Sequence, residues 1–288
     1  IFDCNNFVYV IGGPGYGKSL FLTKLITDFE QLNFLNNEEY LIIYGNLKNF
    51  KYDDECSMSM LEYLQNCIAK ESIMDKKDIT KEKIAYYIDS GRCLLLFDAL
   101  DEVEKNKRND LHERIVSYLD NKNPNNKICI TSRSRGFIPE NNHVVYEILP
   151  LEQKQIEKYL DNLVKIGKFN ENDKALFYKQ AAPLIRNNFL NSFLILSLLT
   201  HIFKREHELP DTKLDLYKKC FKYIGFEREE NKNNQKYNWS DLDELMTIDT
   251  FSILASMGIP NNADIDREDI VNVLGNYYVT KYGTLHDA

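Results

Sequence analysis

No C-x-x-C pair occurs among the six cysteines (Cys4, Cys56, Cys67, Cys93, Cys129 and Cys220), and none of His112, His143, His201 and His207 stands at metal-ligand spacing. A zinc site and a disulfide framework therefore have no basis in the sequence. Several of the cysteines sit inside apolar runs, as buried thiols do in a reducing compartment, so a cytoplasmic location is expected. Long apolar runs are also missing: the longest, Phe189 to Phe203, is interrupted by Asn191, Ser192, Thr200 and His201. It falls short of a membrane span, and no signal peptide is visible. Basic charge is not in excess, because 36 Lys and Arg face 44 Asp and Glu for a net charge of −8. That balance disfavours indiscriminate binding to nucleic acid or to an anionic membrane. The single Trp239 has no aromatic platform around it on which bases could stack. There is no internal repeat.

What is present is an ordinary globular composition, 43% hydrophobic and 28% charged over 288 residues, long enough for about two domains. The organising stretch is Val8 to Phe21, VYVIGGPGYGKSLF. An apolar β-branched run stops at Gly12, and Gly12-x-x-x-x-Gly17-Lys18-Ser19 leads directly into an amphipathic helical pattern. Strand, glycine loop and helix in that order form a phosphate cradle. Gly12, Gly13, Pro14, Gly15 and Gly17 let the backbone approach an anion so that successive N–H groups and the helix N-terminus point at it. The expected nucleotide contact runs from Gly12 through Tyr16 to Leu20. Within it Lys18 reaches the β and γ phosphates, and the Ser19 hydroxyl ligates Mg²⁺.

After the loop, Leu20, Leu22, Leu25, Ile26, Phe29 and Leu32 recur at helical spacing and predict an apolar helix face on a sheet. Tyr40 to Tyr44 reads as a strand, Ser57 to Lys70 and Lys81 to Ser90 as helices, and Cys93 to Phe97 as a strand buried on both faces. Asn109 to Leu119 predicts a helix, and Ile128 to Thr131 and Val144 to Ile148 predict strands. This alternation from Phe7 to Leu149 implies right-handed crossovers and a parallel α/β sheet. From Pro150 only helical patterns follow, over Glu152 to Val164, Glu171 to Asn187, Phe193 to Phe203 and Asp211 to Tyr223. The Asn- and Lys-rich stretch Arg228 to Asn238 reads as a linker, and further helices follow it. The expected domains are 1–149, 150–227 and 239–288. A start without Met and the tail Thr284 to Ala288 suggest a segment of a longer protein.

LLLFDALDE places Asp98 at a strand end, opposite Ser19, where a carboxylate can hold Mg²⁺ directly or through water. Asp101 and Glu102 follow just past the sheet edge, where a carboxylate can orient or deprotonate a water attacking the γ-phosphate. Thr131-Ser132-Arg133 ends a strand expected between those of the loop and of Asp98. Arg133 is the first choice for sensing the γ-phosphate and Arg135 the second. The Leu and Phe stripe from Phe189 to Phe203 reads as core, and Lys105, Lys107 and Arg108 with Glu104 and Asp110 read as a solvated mixed-charge loop. No Asn-Lys-x-Asp guanine motif occurs, which favours ATP over GTP.

GGPGYGKS, LLLFDALDE, TSR and LPLEQKQIEKYL together resemble the NACHT family of STAND-type P-loop NTPases. The resemblance implies a sheet of order 5-1-4-3-2, a helical bundle and a partial winged-helix domain. It assigns nucleotide-site roles to Lys18, Ser19, Asp98, Asp101, Glu102 and Arg133. It further implies an ATP/ADP-operated switch with Mg²⁺ that self-associates on activation. Its setting would be innate immune or antiviral defence, with effector and sensor domains outside this segment; the charge balance and the short apolar runs separately give the expectation of no membrane and no direct nucleic-acid binding. The family's proline near the adenine is replaced by Asn191-Ser192-Phe193-Leu194, and His286 reads as a surface residue rather than a winged-helix phosphate ligand. The alternatives are an AAA-type ATPase working on nucleic acid or protein, and a scaffold that holds nucleotide without turnover.

Overall fold

A computed structural model describes residues 1–2, 5–36, 40–50, 58–71, 80–134 and 144–210, with short pieces within 212–219 and 272–277. Arg135, His143, Cys4, Cys56, Cys220, the 228–238 linker and nearly all of the expected winged-helix segment lie outside those residues. The chain divides into two compact units, Ile1–Cys220 and Phe221–Ala288.

The first unit is built on a five-stranded sheet of order β2-β3-β4-β1-β5. Its strands are β1 (Phe7–Gly12), β2 (Leu41–Asn46), β3 (Cys93–Asp98), β4 (Lys127–Ser132) and β5 (Val144–Ile148), and every pairing is parallel. This is the expected order, read from the other edge. Parallel neighbours need crossovers, which α1 (Lys18–Asn36), α2 (Met60–Glu71), α3 (Lys81–Asp89) and α4 (Lys105–Asp120) supply. Residues of β3 are buried along the whole strand, as a continuous apolar run inside a parallel sheet requires.

Alternate side chains of each strand feed the two faces of the sheet. On one face Val8, Val10, Leu94, Leu96 and Cys129 pack with Leu22 and Leu25 of α1. On the other, Ile43, Leu95, Phe97, Ile128 and Ile130 meet the apolar sides of α2, α3 and α4. A polar contact crosses this second core, where the Tyr9 hydroxyl and His112 Nε2 of α4 lie 2.6 Å apart. Leu20 departs from the expected sheet-facing stripe of α1 and is 53% exposed, because the first turn of the helix stands above the sheet edge.

Beyond the sheet come α5 (Gln153–Lys165), α6 (Glu171–Arg186) and α7 (Phe193–Glu206). Capping boxes start the first two, Glu152 with Gln155 and Asn170 with Asp173, and the Ser192 hydroxyl accepts from Ile195 N to start the third. In their core Phe177 meets Phe169 and Phe203 edge to face, and Phe169 lies tilted against Phe203. Leu151 N donates to Asn191 O at 2.9 Å, which brings the start of α7 back toward the end of β5.

Candidate nucleotide site

Because β1, β3 and β4 run parallel, their C-terminal ends open on one edge, where ligands of open α/β sheets bind. A cleft of about 350 Å³ lies there. Pro14, Gly15, Gly17, Lys18, Ser19 and Leu20 line it from the loop, facing Asp98, Asp101, Glu102 and Arg133. Gly12, Gly13 and Tyr16 stand behind that lining, with Gly13 against the Tyr16 ring. A larger cavity of about 490 Å³ sits at the opposite edge, around Asn6, Phe7, Leu119, Asn126 and Ile128. It is the wrong edge for a phosphate, since the loop and helix N-terminus point away from it.

Two glycines give the loop its path. Gly15 has φ +74° and Gly17 φ +98°, both in territory that L side chains avoid. The Phe21 N–H donates to Gly17 O at 2.8 Å, which starts α1 and leaves its earliest N–H groups without intrahelical partners. Lys18 Nζ donates to Gly12 O at 2.8 Å and to Gly13 O at 3.1 Å, so its ammonium lies over the loop. Burial lowers the Lys18 pKa and Arg133 adds to that, while Asp101, Asp98 and Glu102 oppose it.

Asp98 is 4% exposed and accepts from the Thr131 hydroxyl at Oδ1 and from the Tyr44 hydroxyl at Oδ2, the latter at 3.1 Å. The strand then turns sharply through Ala99, at φ 61° and ψ 50°, into a short 3-10 turn, Leu100–Glu102. Arg133 grips that turn twice: its N–H donates to Asp101 Oδ1 at 3.0 Å and its Nε lies 2.8 Å from Asp101 Oδ2. Glu102 is held more loosely, with Lys48 Nζ 3.7 Å from its Oε2.

Arg108 belongs to this assembly as well. Residues 105–110 are the first turns of α4 rather than a loop, and Arg108 Nη2 donates to Asp101 O at 2.6 Å and Val103 O at 3.1 Å. The expectation failed because a helix whose first turn is almost wholly polar gives no periodic signal. The N-terminal end of the Phe189 to Phe203 stripe departs from a core role too. Phe193, Leu194 and Ser197 line the cleft, whereas Leu196, Leu199 and Phe203 are buried in the bundle. Leu194 N donates to Gly15 O at 3.0 Å, so α7 rests directly on the phosphate loop.

The expected residues Lys18, Ser19, Asp98, Asp101, Glu102 and Arg133 thus converge on one cleft. Tyr44 and Arg108 join them without any sequence signal of their own, and Thr131, though part of the TSR motif, does so through contacts to Asp98 and Ala99 that the motif does not reveal. Ser19 and Asp98 offer hard oxygen donors of the kind that magnesium prefers, and a half-buried lysine beside a helix N-terminus suits a polyphosphate.

A parallel sheet of this order, with a Gly-rich loop between β1 and α1 and an acidic end on β3, defines a P-loop NTPase. The family model for the NACHT domain matches residues 6–165, more than half of the chain, and the chain belongs to that family, whose domains are P-loop NTPases of the STAND type. No curated protein sequence matches it closely enough to count as a relative. Two solved structures of the Aeropyrum pernix ORC2 protein are similar at 10% identity and a TM-score of 0.42. The ADP form covers 99% of this chain and 76% of that one, and the ADPNP-ADP complexes cover 98% and 76%. At that score the likeness says nothing of function. Among the described residues no helix is long and apolar enough to cross a membrane.

Proposed function

We propose that this chain is the ATP-hydrolysing switch of a cytoplasmic signalling protein, in which exchange of ADP for ATP opens the contact between sheet and helical bundle and permits self-association. The observation that carries the reading is the hydrogen bond from Leu194 N to Gly15 O, together with Phe193, Leu194 and Ser197 in the lining of the cleft. A ligand at the loop touches the bundle as well, so occupancy and bundle position share one free energy. Only contacts that differ between ADP and ATP can shift such an equilibrium, and the γ-phosphate adds Lys18 and Arg133.

Lys18 and the N–H groups that begin α1 bind the phosphates. Ser19 and Asp98 would hold Mg²⁺, which supplies positive charge to the β and γ oxygens. Arg133 keeps Nε on Asp101, and its guanidinium carries two further nitrogens that can face a phosphate oxygen. Asp101 is thereby the carboxylate that aims Arg133. Glu102, on the looser contact to Lys48, is the one more open to take a proton from the attacking water. That water bonds to the γ-phosphorus as the bond to the β–γ bridging oxygen breaks. Phe193, Leu194 and Ser197 form the wall next to the loop on which the base or sugar lies, in place of the proline absent there. A role in innate immune or antiviral defence, with effector and sensor domains elsewhere in the protein, follows from membership of the family and is proposed on that ground.

The test is to identify the copurified nucleotide, then to measure particle mass with ADP and with a non-hydrolysable ATP analogue. ADP in the purified protein, and a mass increase with the analogue alone, are expected. Equal mass in both states would remove the switch and favour the nucleotide-holding scaffold. Turnover stimulated strongly by DNA or unfolded protein would favour an AAA-type motor.

A further inference from the structure

We propose that the hydroxyls of Thr131 and Tyr44 are positioning groups that fix the Asp98 carboxylate for the metal, and that Thr131 also ties that carboxylate to the acidic turn. The proposal rests on the reading of Asp98 as a magnesium-holding residue given above.

The sheet order makes the arrangement possible. β3 lies between β2 and β4, and Tyr44 packs against the same apolar cluster as Leu94, Leu96 and Cys129 on the α1 side of the sheet. Asp98, two residues beyond Leu96, and Thr131, two beyond Cys129, share that side by strand alternation. The phenol and the threonine hydroxyl therefore reach Asp98 from opposite flanks.

The direction of each hydrogen follows from the bonding. Thr131 Oγ1 accepts the Ala99 N–H at 2.9 Å, so its single hydrogen is turned to Asp98 Oδ1. Tyr44 donates its own to Oδ2 at 3.1 Å. The carboxylate thus has one hydrogen on each oxygen, which locks a torsion that is otherwise broad. Each oxygen keeps one further lone-pair direction for an ion. Magnesium demands near-ideal octahedral geometry, and groups that orient its ligands are worth about 10–100-fold in metal affinity.

Thr131 has a second duty. The N–H that it accepts belongs to Ala99, the left-handed residue from which Asp101 and Glu102 depart. With Thr131 0% exposed and Asp98 4% exposed, bulk water is poorly placed to substitute for the hydroxyl. One side chain therefore couples the carboxylate beside the metal to the turn that carries the two candidate catalytic carboxylates.

The experiment measures affinity for a fluorescent ADP analogue across a Mg²⁺ titration, including EDTA, for the full chain and for T131V, T131S, Y44F and D98N. T131V keeps the shape of threonine and removes its hydroxyl. It is expected to raise the Mg²⁺ concentration for half-maximal effect about 10–100-fold, with metal-free affinity unchanged. T131S should titrate like the parent chain, and Y44F should shift in the same direction by less. A general loss of structure would lower metal-free affinity as well, and thermal melts of each variant identify it. Y44F, at a half-buried ring that loses only its hydroxyl, keeps the test open if T131V does not fold. Parent-like Mg²⁺ titrations for T131V and Y44F, beside a D98N variant that no longer responds to Mg²⁺, would overturn the positioning role alone. A D98N variant that still responds like the parent would remove the metal assignment, and the proposal with it.

Discussion

Asp101 and Glu102 are adjacent and chemically alike, yet their surroundings differ enough to separate their roles. Asp101 lies between the Arg133 side chain and backbone and has little exposed surface, whereas the Glu102 carboxylate has Lys48 at 3.7 Å as its charged partner among the described residues. E102Q should therefore keep nucleotide affinity and lower turnover by about 10²–10⁴-fold, the usual worth of a positioned proton acceptor. D101N should weaken discrimination between ATP and ADP, because it releases Arg133. Phosphate release and binding of labelled nucleotide, measured on both variants, check the pair; equal effects on both readouts would reject the division of labour. The cysteines offer a pH test. Burial pushes the Cys93 and Cys129 thiols up to about 12 from an ordinary 9.0. Between those values the unfolded chain releases protons that the folded chain retains, so stability present below pH 9 falls as the pH rises toward 12. Neither thiol should react with iodoacetamide at pH 8 until denaturant is added, as peptide mass mapping would reveal. At this scale the loop glycines, Lys18 and Asp98 are legible in the sequence because their chemistry is local. The roles of Thr131, Tyr44 and Arg108 are not, since their partners are carbonyls, an N–H group and a carboxylate brought near by the fold.

Among the elements, the junction between the loop and α7 makes the sharpest demand on sequence. A Cβ at Gly15 would lie 2.9 Å from Leu194 Cβ and 3.3 Å from its Cδ2, in a backbone with φ +74°. At Gly17 the backbone is also left-handed, φ +98°, but nothing lies within 4 Å. Alanine at Gly17 should cost about 1–2 kcal/mol from backbone strain alone. Alanine at Gly15 should cost about 1–3 kcal/mol more, because α7 must move or the loop must. Denaturation midpoints give the comparison, and equal losses would mean that α7 does not press on the loop. The helices and strands themselves follow from periodicity: β5 falls on Val144–Ile148 as expected, and α6 and α7 begin at the expected residues. The start of α4 does not, for the reason that its first turn is polar. The function of the first turn of α7 is hidden for the converse reason, since Phe193 and Leu194 look like core in any apolar stripe.

For the first unit as a whole, the strand order could be anticipated only through the likeness of its motifs to a family, because periodicity gives strands but not their neighbours. That order also dictates when the site can exist. β1 pairs only with β4 and β5, which lie far along the chain. During synthesis the ribosome releases Phe7–Gly12 long before Lys127–Ser132, while β2 and β3 can already join. The first strand of the sheet to emerge thus cannot pair until the fourth has followed it, an apolar run waiting through most of the α/β portion, with the phosphate loop attached to it. Domains generally fold as units, and non-local pairing of this kind is slow and exposed to aggregation. Nascent chains arrested before β4 would carry the entire glycine loop and still lack its seat, so competence for nucleotide would arise in one late step rather than grow with chain length.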